Sequence, residues 1–200
     1  MRIDLSHRIE AALKRRRWRE VANEKGRLIH SAVLIPLFKT CCGYEIVFTK
    51  RSHMVEHHKG QISFPGGVVE ACDHDYEDTA LRESYEEIGI LPGDVKVLGR
   101  LDDELTKATN FIVHPFVGVI PWPYEFDINR DEVERIITVP VELFFHENAH
   151  LHPKSIDFDT FTYEGPAYRF GEVTIWGATA IIMYKFMGVI HRSLSLPDNC

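Results

Sequence analysis

Residues 66–90, "GGVVEACDHDYEDTALRESYEEIGI", constrain this chain more than any other segment. A double glycine is followed by a bounded helix that carries Glu83, Glu86 and Glu87 within five residues. Like charges three and four residues apart repel and weaken an isolated helix. The cluster is therefore either a solvated face or a holder of positive charge. The helix is well punctuated: Asp75 can cap it, Glu77 and Asp78 suit the positive end of its dipole, Gly89 sits where a C′ glycine belongs, and Pro92 follows. On a helical wheel the three glutamates share an arc of roughly 100°, with Thr79 inside it and Arg82 at its edge. Leu81, Ser84, Tyr85 and Ile88 lie opposite, with Ala80 between. This pattern predicts one face docked on a sheet and another aiming three carboxylates at a single point.

Carboxylate oxygens suit hard divalent cations. Mg²⁺ in particular is shared between one or two carboxylates and substrate phosphates. Gly66-Gly67 lets the backbone approach a ligand closely and can leave a carbonyl free. With 23 basic and 30 acidic residues, the net charge of −7 argues against nucleic acid or an anionic membrane as partner. A polyanionic substrate then needs local basic groups or bound cations.

Two hundred residues, 44% apolar and 26% charged, fit one soluble domain. Cys41, Cys42, Cys72 and Cys200 form no CxxC pair, and no secretory signal precedes them, so reduced thiols in the cytoplasm are expected. The apolar segment 173–190 is interrupted by Lys185 and reads as a buried helix over 176–190 rather than a membrane span. An amphipathic helix is expected over 5–19, within an N-terminal segment of 1–25 packed on a main domain of 26–195. Strand-like runs occupy 28–38, 44–51, 94–101, 111–120 and 133–140, with "KTCCG" as a turn. A short helix near 140–145 and a hairpin-like region at 157–175 complete a single α/β domain with a mixed sheet between helices.

The opening stretch resembles the signature of the Nudix hydrolases, and "RESYEEIGI" matches its second half at every fixed position. The resemblance implies a Nudix-type α/β/α sandwich with a mixed β-sheet between helices. It also implies hydrolysis of a nucleoside diphosphate linked to another group, dependent on Mg²⁺ or Mn²⁺. By that resemblance Glu83, Glu86, Glu87 and the carbonyl of Gly66 are metal ligands, and Arg82 orients the glutamates by charge-assisted hydrogen bonds. The acidic position in the first half is displaced by one extra residue. Asp73, Glu70 and Glu77 are the candidates for it, with His74 in the other alignment.

The segment "IVFTKRSHMVEHHKGQISFPGG" at 46–67 resembles a second signature, that of the branch that hydrolyses coenzyme A. Arg51, Ser52, His58, Gly60, Gln61, Phe64, Pro65, Gly66 and Gly67 match it; "NFIVHPFVGVI", "DEVERIITVPVELF" and "WGATA" also look like that branch. Arg51, His58, Gly60, Gln61 and Gly67 are thereby implied to bind substrate, with 3′,5′-ADP and 4′-phosphopantetheine as products. Glu56 departs from this signature, standing where it has arginine; an ionised glutamate cannot pair with a phosphate. Another substrate, such as ADP-ribose or a dinucleotide, or a non-catalytic nucleotide-binding module, is the alternative. Glu86 and Glu104 are the candidate catalytic bases. Trp122, Tyr124 and Phe126 can stack on a base but are assigned no site, and a homodimer is possible.

Overall fold

A computed structural model describes residues 4–23, 26–54, 60–106, 110–145, 150–151, 156–158 and 161–195. The fold centres on the strands that the sequence writes as continuous apolar runs. Strand β1 (Ile29–Thr40) turns through Cys41-Cys42 into β2 (Gly43–Arg51), and two short strands follow, β3 (Ile62–Ser63) and β4 (Gly66–Val68). Helix α2 (Tyr76–Ile88) comes after them; the N-terminal helix α1 (Leu5–Arg15) precedes β1. Next are β5 (Lys96–Arg100), β6 (Glu104–Thr106), β7 (Phe111–Val119) and β8 (Val133–Pro140), which ends in a 3₁₀ turn at Val141–Phe145. Strands β9 (His150–Leu151), β10 (Ile156–Phe158), β11 (Phe161–Tyr163), β12 (Ala167–Phe170) and β13 (Val173–Ile175) lead to α3 (Gly177–Ser195).

The main sheet runs β3-β2-β1-β7-β5; β4 also pairs with β1, β6 with β7 and β8 with β2. β1 and β7 are parallel, with Ile29 opposite Phe111, whereas β1 and β2 are antiparallel. The expected mixed sheet is therefore present. β1 is covered on both sides, which explains its unbroken apolar run. Val33, Ile35 and Leu37 join a core with Ile9 and Leu13 of α1 and Met183 and Phe186 of α3. Ala32 and Leu34 point the other way, against Ala80 of α2 and Phe116. One helix layer thus lies on each face, as an α/β/α sandwich requires.

Two prolines lie inside these central strands, where a missing N–H normally breaks a ladder. Pro36 falls where β1 passes from β4, paired at 31–33, to β2, paired at 37–40. Pro115 falls where β7 passes from β6, paired at 111–113, to β5, paired at 116–119. In both cases the absent donor coincides with a change of partner.

Several boundaries differ from the sequence expectation. The first helix ends at Arg15 rather than 19, because Arg16 becomes extended and the following backbone is captured by two aspartates. Asp102 accepts from the Arg19 N–H at 2.7 Å, and Asp103 accepts from the Val21 N–H at 3.0 Å. The short helix expected near 140–145 is present at Val141–Phe145 and is 3₁₀. The region expected as one hairpin holds two, β10–β11 and β12–β13. The final helix continues to Ser195, and no helix among the described residues is long and apolar enough to cross a membrane.

Candidate active site

Helix α2 begins as its sequence requires. Asp75 is extended and accepts from the Asp78 N–H at 2.9 Å, which satisfies one orphan donor. It ends at Gly89, left-handed at φ 73°, whose N–H returns to Tyr85. Its buried side carries Thr79, Ala80, Ser84, Glu87 and Ile88. This corrects the wheel: Tyr85, placed on the packed face, is 51% exposed, while Glu87 is 2% exposed. The docked stripe is rotated toward the acidic arc, because α2 packs against both β1 and β4 and the β4 side takes up the glutamates.

The two glycines admit that packing. A Cβ at Gly67 would come within 2.3 Å of the Glu83 carboxylate, and Gly66 has φ +150° with its missing Cβ 2.3 Å from the Ala32 carbonyl oxygen. Any other residue at 67 would displace Glu83. The Gly66 N–H donates to the Glu87 carboxylate at 3.3 Å.

Arg82 organises the other side. Its Nε and Nη2 donate to the two oxygens of Asp73 at 2.8 and 3.0 Å. Nη1 donates to Glu83 and to Glu86, each at 2.9 Å, and Nη2 also reaches the Val68 carbonyl at 3.0 Å. Asp73 additionally accepts from the Glu70 N–H and the Thr79 hydroxyl, both at 2.8 Å. The Arg82 guanidinium thereby holds the Asp73 carboxyl well below the usual carboxylate range. Of the acids weighed for the first half of the signature, Asp73 is the one bonded to Arg82. His74 instead lies on Asp78 at 2.8 Å.

The three helix glutamates do not converge on one point. Glu86, half exposed, and Glu83, largely covered, turn to Arg82, while Glu87 turns inward to Gly66. Mutual repulsion separates them, each taking the nearest donor. Among the described residues no three His, Cys, Asp or Glu side chains form a closed metal cage.

Glu87 is the under-neutralised member. Its nearest cation, Arg51, is 3.8 Å away and has a buried Nε with no hydrogen-bond partner among the described residues. Burial pushes the Glu87 carboxyl up to about 8, against Arg51, and Glu83 and Glu132 push the same way. Burial also raises Glu83. A buried acid opposed by two further acids and only partly offset by one arginine is a place where added positive charge is stabilising. That donor set, all carboxylate oxygen beside the glycines of β4, fits Mg²⁺ or Mn²⁺.

Glu132 was missed in sequence because it lies 45 residues beyond Glu87, as their numbering gives, in the approach to β8. Backbone bonds bring it close: Asn129 N–H donates to the Glu87 carbonyl at 3.0 Å, and Ser52 N–H to the Glu132 carbonyl at 2.8 Å. The Asn129 amide then donates to the Glu132 carboxylate at 3.1 Å. The available signal was the acidic "DEV" opening a strand-like run. Glu104, by contrast, is in β6 and ion-paired to Lys185 of α3 at 2.6 Å.

The upstream segment reaches the same corner through its backbone. Arg51 N–H donates to the Gln61 carbonyl at 2.9 Å, and Gly60 N–H to the Arg51 carbonyl at 3.1 Å. Gly60 is left-handed at φ 69°. His58 and Glu56 lie outside the described residues. Trp122 stacks on Phe38 at 4.1 Å, and the Tyr124 hydroxyl donates to Asp94 at 2.9 Å, so packing and hydrogen bonding already occupy these aromatics.

The NUDIX domain family model matches residues 28–158. An uncharacterized Nudix hydrolase, NudL, from Pectobacterium atrosepticum is 33% identical over 156 residues, covering 78% of this chain and 79% of that protein. Nudix hydrolase 15, mitochondrial, from Arabidopsis thaliana is 34% identical over 168 residues, covering 81% of this chain and 59% of that protein. Among solved structures, a MutT/nudix family protein from Enterococcus faecalis shares the fold at TM-score 0.57 and 14% identity, covering 88% of this chain and 70% of that chain. A family match across most of the chain, on a sheet and helix arranged as its signature requires, means that this chain belongs to the Nudix hydrolases, pyrophosphohydrolases of nucleoside diphosphate derivatives.

Proposed function

We propose that this enzyme hydrolyses the diphosphate of coenzyme A or its derivatives to 3′,5′-ADP and 4′-phosphopantetheine. The observation that carries the diphosphate reading is the buried, under-neutralised Glu87 beside Gly66 of β4. Coenzyme A is favoured by the sequence "RSHMVEHHKGQISFPGG", in which the Arg51 backbone bonds Gly60 and Gln61.

Glu83, Glu86, Glu87 and the Gly66 carbonyl are the groups that would hold Mg²⁺ or Mn²⁺. The ion would supply positive charge to the diphosphate and acidify the attacking water. Arg82, fixed by Asp73, keeps Glu83 and Glu86 in one orientation. Arg51 offers an anionic oxygen of the substrate a guanidinium N–H that has no partner among the described residues. Gly60, Gln61 and Gly67 bring backbone close to the same anion, with His58 in the connecting segment. Glu132 joins Glu86 as a candidate acceptor of the water proton, whereas the Lys185 ion pair commits Glu104 elsewhere. A small-molecule substrate in the cytoplasm, with neither nucleic acid nor membrane as partner, belongs to the same proposal.

Purified protein should release 3′,5′-ADP from coenzyme A with Mg²⁺ or Mn²⁺, products identified by mass. Failure on coenzyme A together with good turnover of ADP-ribose or a dinucleotide would favour the second reading, which Glu56 motivates. Removal of the proton acceptor should lower kcat by roughly 10²–10⁴-fold. Glu132→Gln and Glu86→Gln should show that loss, and Glu104→Gln should not; equal activity in all three would exclude both candidates.

A further inference from the structure

The hairpin between β1 and β2 closes with a two-residue turn, Cys41-Cys42, and register pairs Thr40 with Gly43. Two-residue hairpin turns are normally built from Asn, Asp and Gly. Cysteine, when structural, is among the most buried residue types. Both thiols here are exposed, and their sulfurs stand 3.6 Å apart. The turn needs neither side chain: Thr40 closes it, its hydroxyl accepting from the Cys42 N–H at 3.1 Å and donating to the Gly43 carbonyl at 3.1 Å. Neither backbone conformation nor packing explains the pair.

The sulfur separation discriminates between occupants. Closing a disulfide would require the sulfurs to approach to about 2.05 Å across Cα atoms that adjacency holds at about 3.8 Å, below the usual span of about 4.4–6.8 Å. A single atom bonded to both sulfurs fits better, since two sulfurs about 2.3 Å from a tetrahedral centre lie about 3.8 Å apart. An ordinary metal cage needs further ligands, and none converges with the thiols among the described residues. Carboxylates nevertheless surround the turn. The missing Cβ of Gly43 would lie 2.4 Å from Glu142 Oε1, and Cys41, then burial, Glu45 and Glu142 push the Cys42 thiol up. Cys42 is thereby biased toward its thiol form.

We propose that Cys41 and Cys42 form a bidentate dithiol site for thiophilic centres with two exchangeable valences, of which a monosubstituted trivalent arsenical is the type. The step is condensation: R–As(OH)₂ and two thiols give R–As(SR′)₂ and two waters. Two As–O and two S–H bonds break, two As–S and two O–H bonds form, and arsenic stays trivalent. No oxidant or reductant is consumed. The site lies at the hairpin tip and is independent of the hydrolase reading.

The test is titration of the reduced full-length chain with phenylarsine oxide, followed by intact mass and a count of free thiols. One adduct per chain should remove two of the four thiols. A chelating dithiol excess should reverse it, and an equal concentration of monothiol should not. Cys41→Ser and Cys42→Ser should each weaken binding by roughly 10²-fold or more, the usual gain from a tethered second contact. Cys72→Ser should leave it unchanged. The thiols are exposed, so these variants should melt with the wild type. An adduct that survives in Cys41→Ser and Cys42→Ser, consumes one thiol, or requires Cys72 would overturn the proposal.

Discussion

Glu87 carries opposite demands on stability and chemistry. Its folded carboxyl titrates near 8, above an ordinary value of 4.5, because burial disfavours its charge. An acid whose pKa rises on folding contributes stability that is complete below the unfolded pKa. That contribution drains away as pH climbs from about 4.5 to about 8. Glu87→Gln should therefore melt with the wild type near pH 4.5 and above it at pH 8 without divalent ions, by an amount on the order of a few kcal/mol. It should lose turnover at both values. Added Mn²⁺ should raise the melting temperature of the wild type more than that of the variant. A variant less stable than the wild type at pH 8 would remove the strained-carboxylate reading. Asp73→Asn tests a residue one step removed. Arg82 would keep its position less firmly, and activity should fall roughly 10–100-fold with little change in substrate affinity. A rise in KM at constant kcat would instead place Asp73 on the substrate.

The candidate site was legible in sequence where it is local. Glu83, Glu86 and Glu87 announce themselves by helical spacing, and Asp75 and Gly89 by capping chemistry. Glu132 did not, because only tertiary hydrogen bonds through Asn129 and Ser52 bring it to Glu87.

At the scale of elements, long apolar strands were readable and short ones were not. β8 occupies the run 133–140 as expected, while β3, with two residues, and β4 and β6, with three, are strands only because neighbours supply their ladders. The first helix ran too long in sequence because Arg16, Arg17 and Arg19 favour helix as well as any surface residue, and propensity cannot register Asp102 and Asp103. Those aspartates tie 16–23 to the sheet. Asp103 also accepts from the Arg100 guanidinium at 2.6 Å and bonds His114 at 2.8 Å. His114 contacts His30 at 2.9 Å, and His30 contacts the Asn23 amide at 3.2 Å. Asn23 donates to His30, whose other ring nitrogen meets His114, and His114 in turn meets Asp103. Asp103→Ala should cost about 3–5 kcal/mol, since it takes the nearest carboxylate from a partly buried arginine and breaks the histidine chain. Chemical denaturation of the variant checks this, and a loss below about 1 kcal/mol would show the network to be dispensable.

Across the whole molecule, α1 is part of the core rather than an appendage. Ile9 is fully buried and Leu13 nearly so, Glu10 ion-pairs Lys96 of β5 at 2.7 Å, and Asp4 both caps the helix and takes Lys39 and Tyr44. Each of the two buried side chains is worth about 1.5–3 kcal/mol. Removal of residues 4–23 should accordingly lower the melting temperature by roughly 6–24 °C. An unchanged melt would show that the remaining chain closes over the exposed face.

The packing of α1 on α3 also orders events during synthesis. α1 leaves the ribosome well before α3, the helix it packs on. At about 5–20 residues per second, roughly 10–40 s separate their emergence. Throughout that interval the Ile9–Leu13 stripe is an unclaimed greasy surface on a nascent chain. The carboxylate helix and central sheet lie between them in the chain and can assemble earlier, so α1 docks fully only after they have formed.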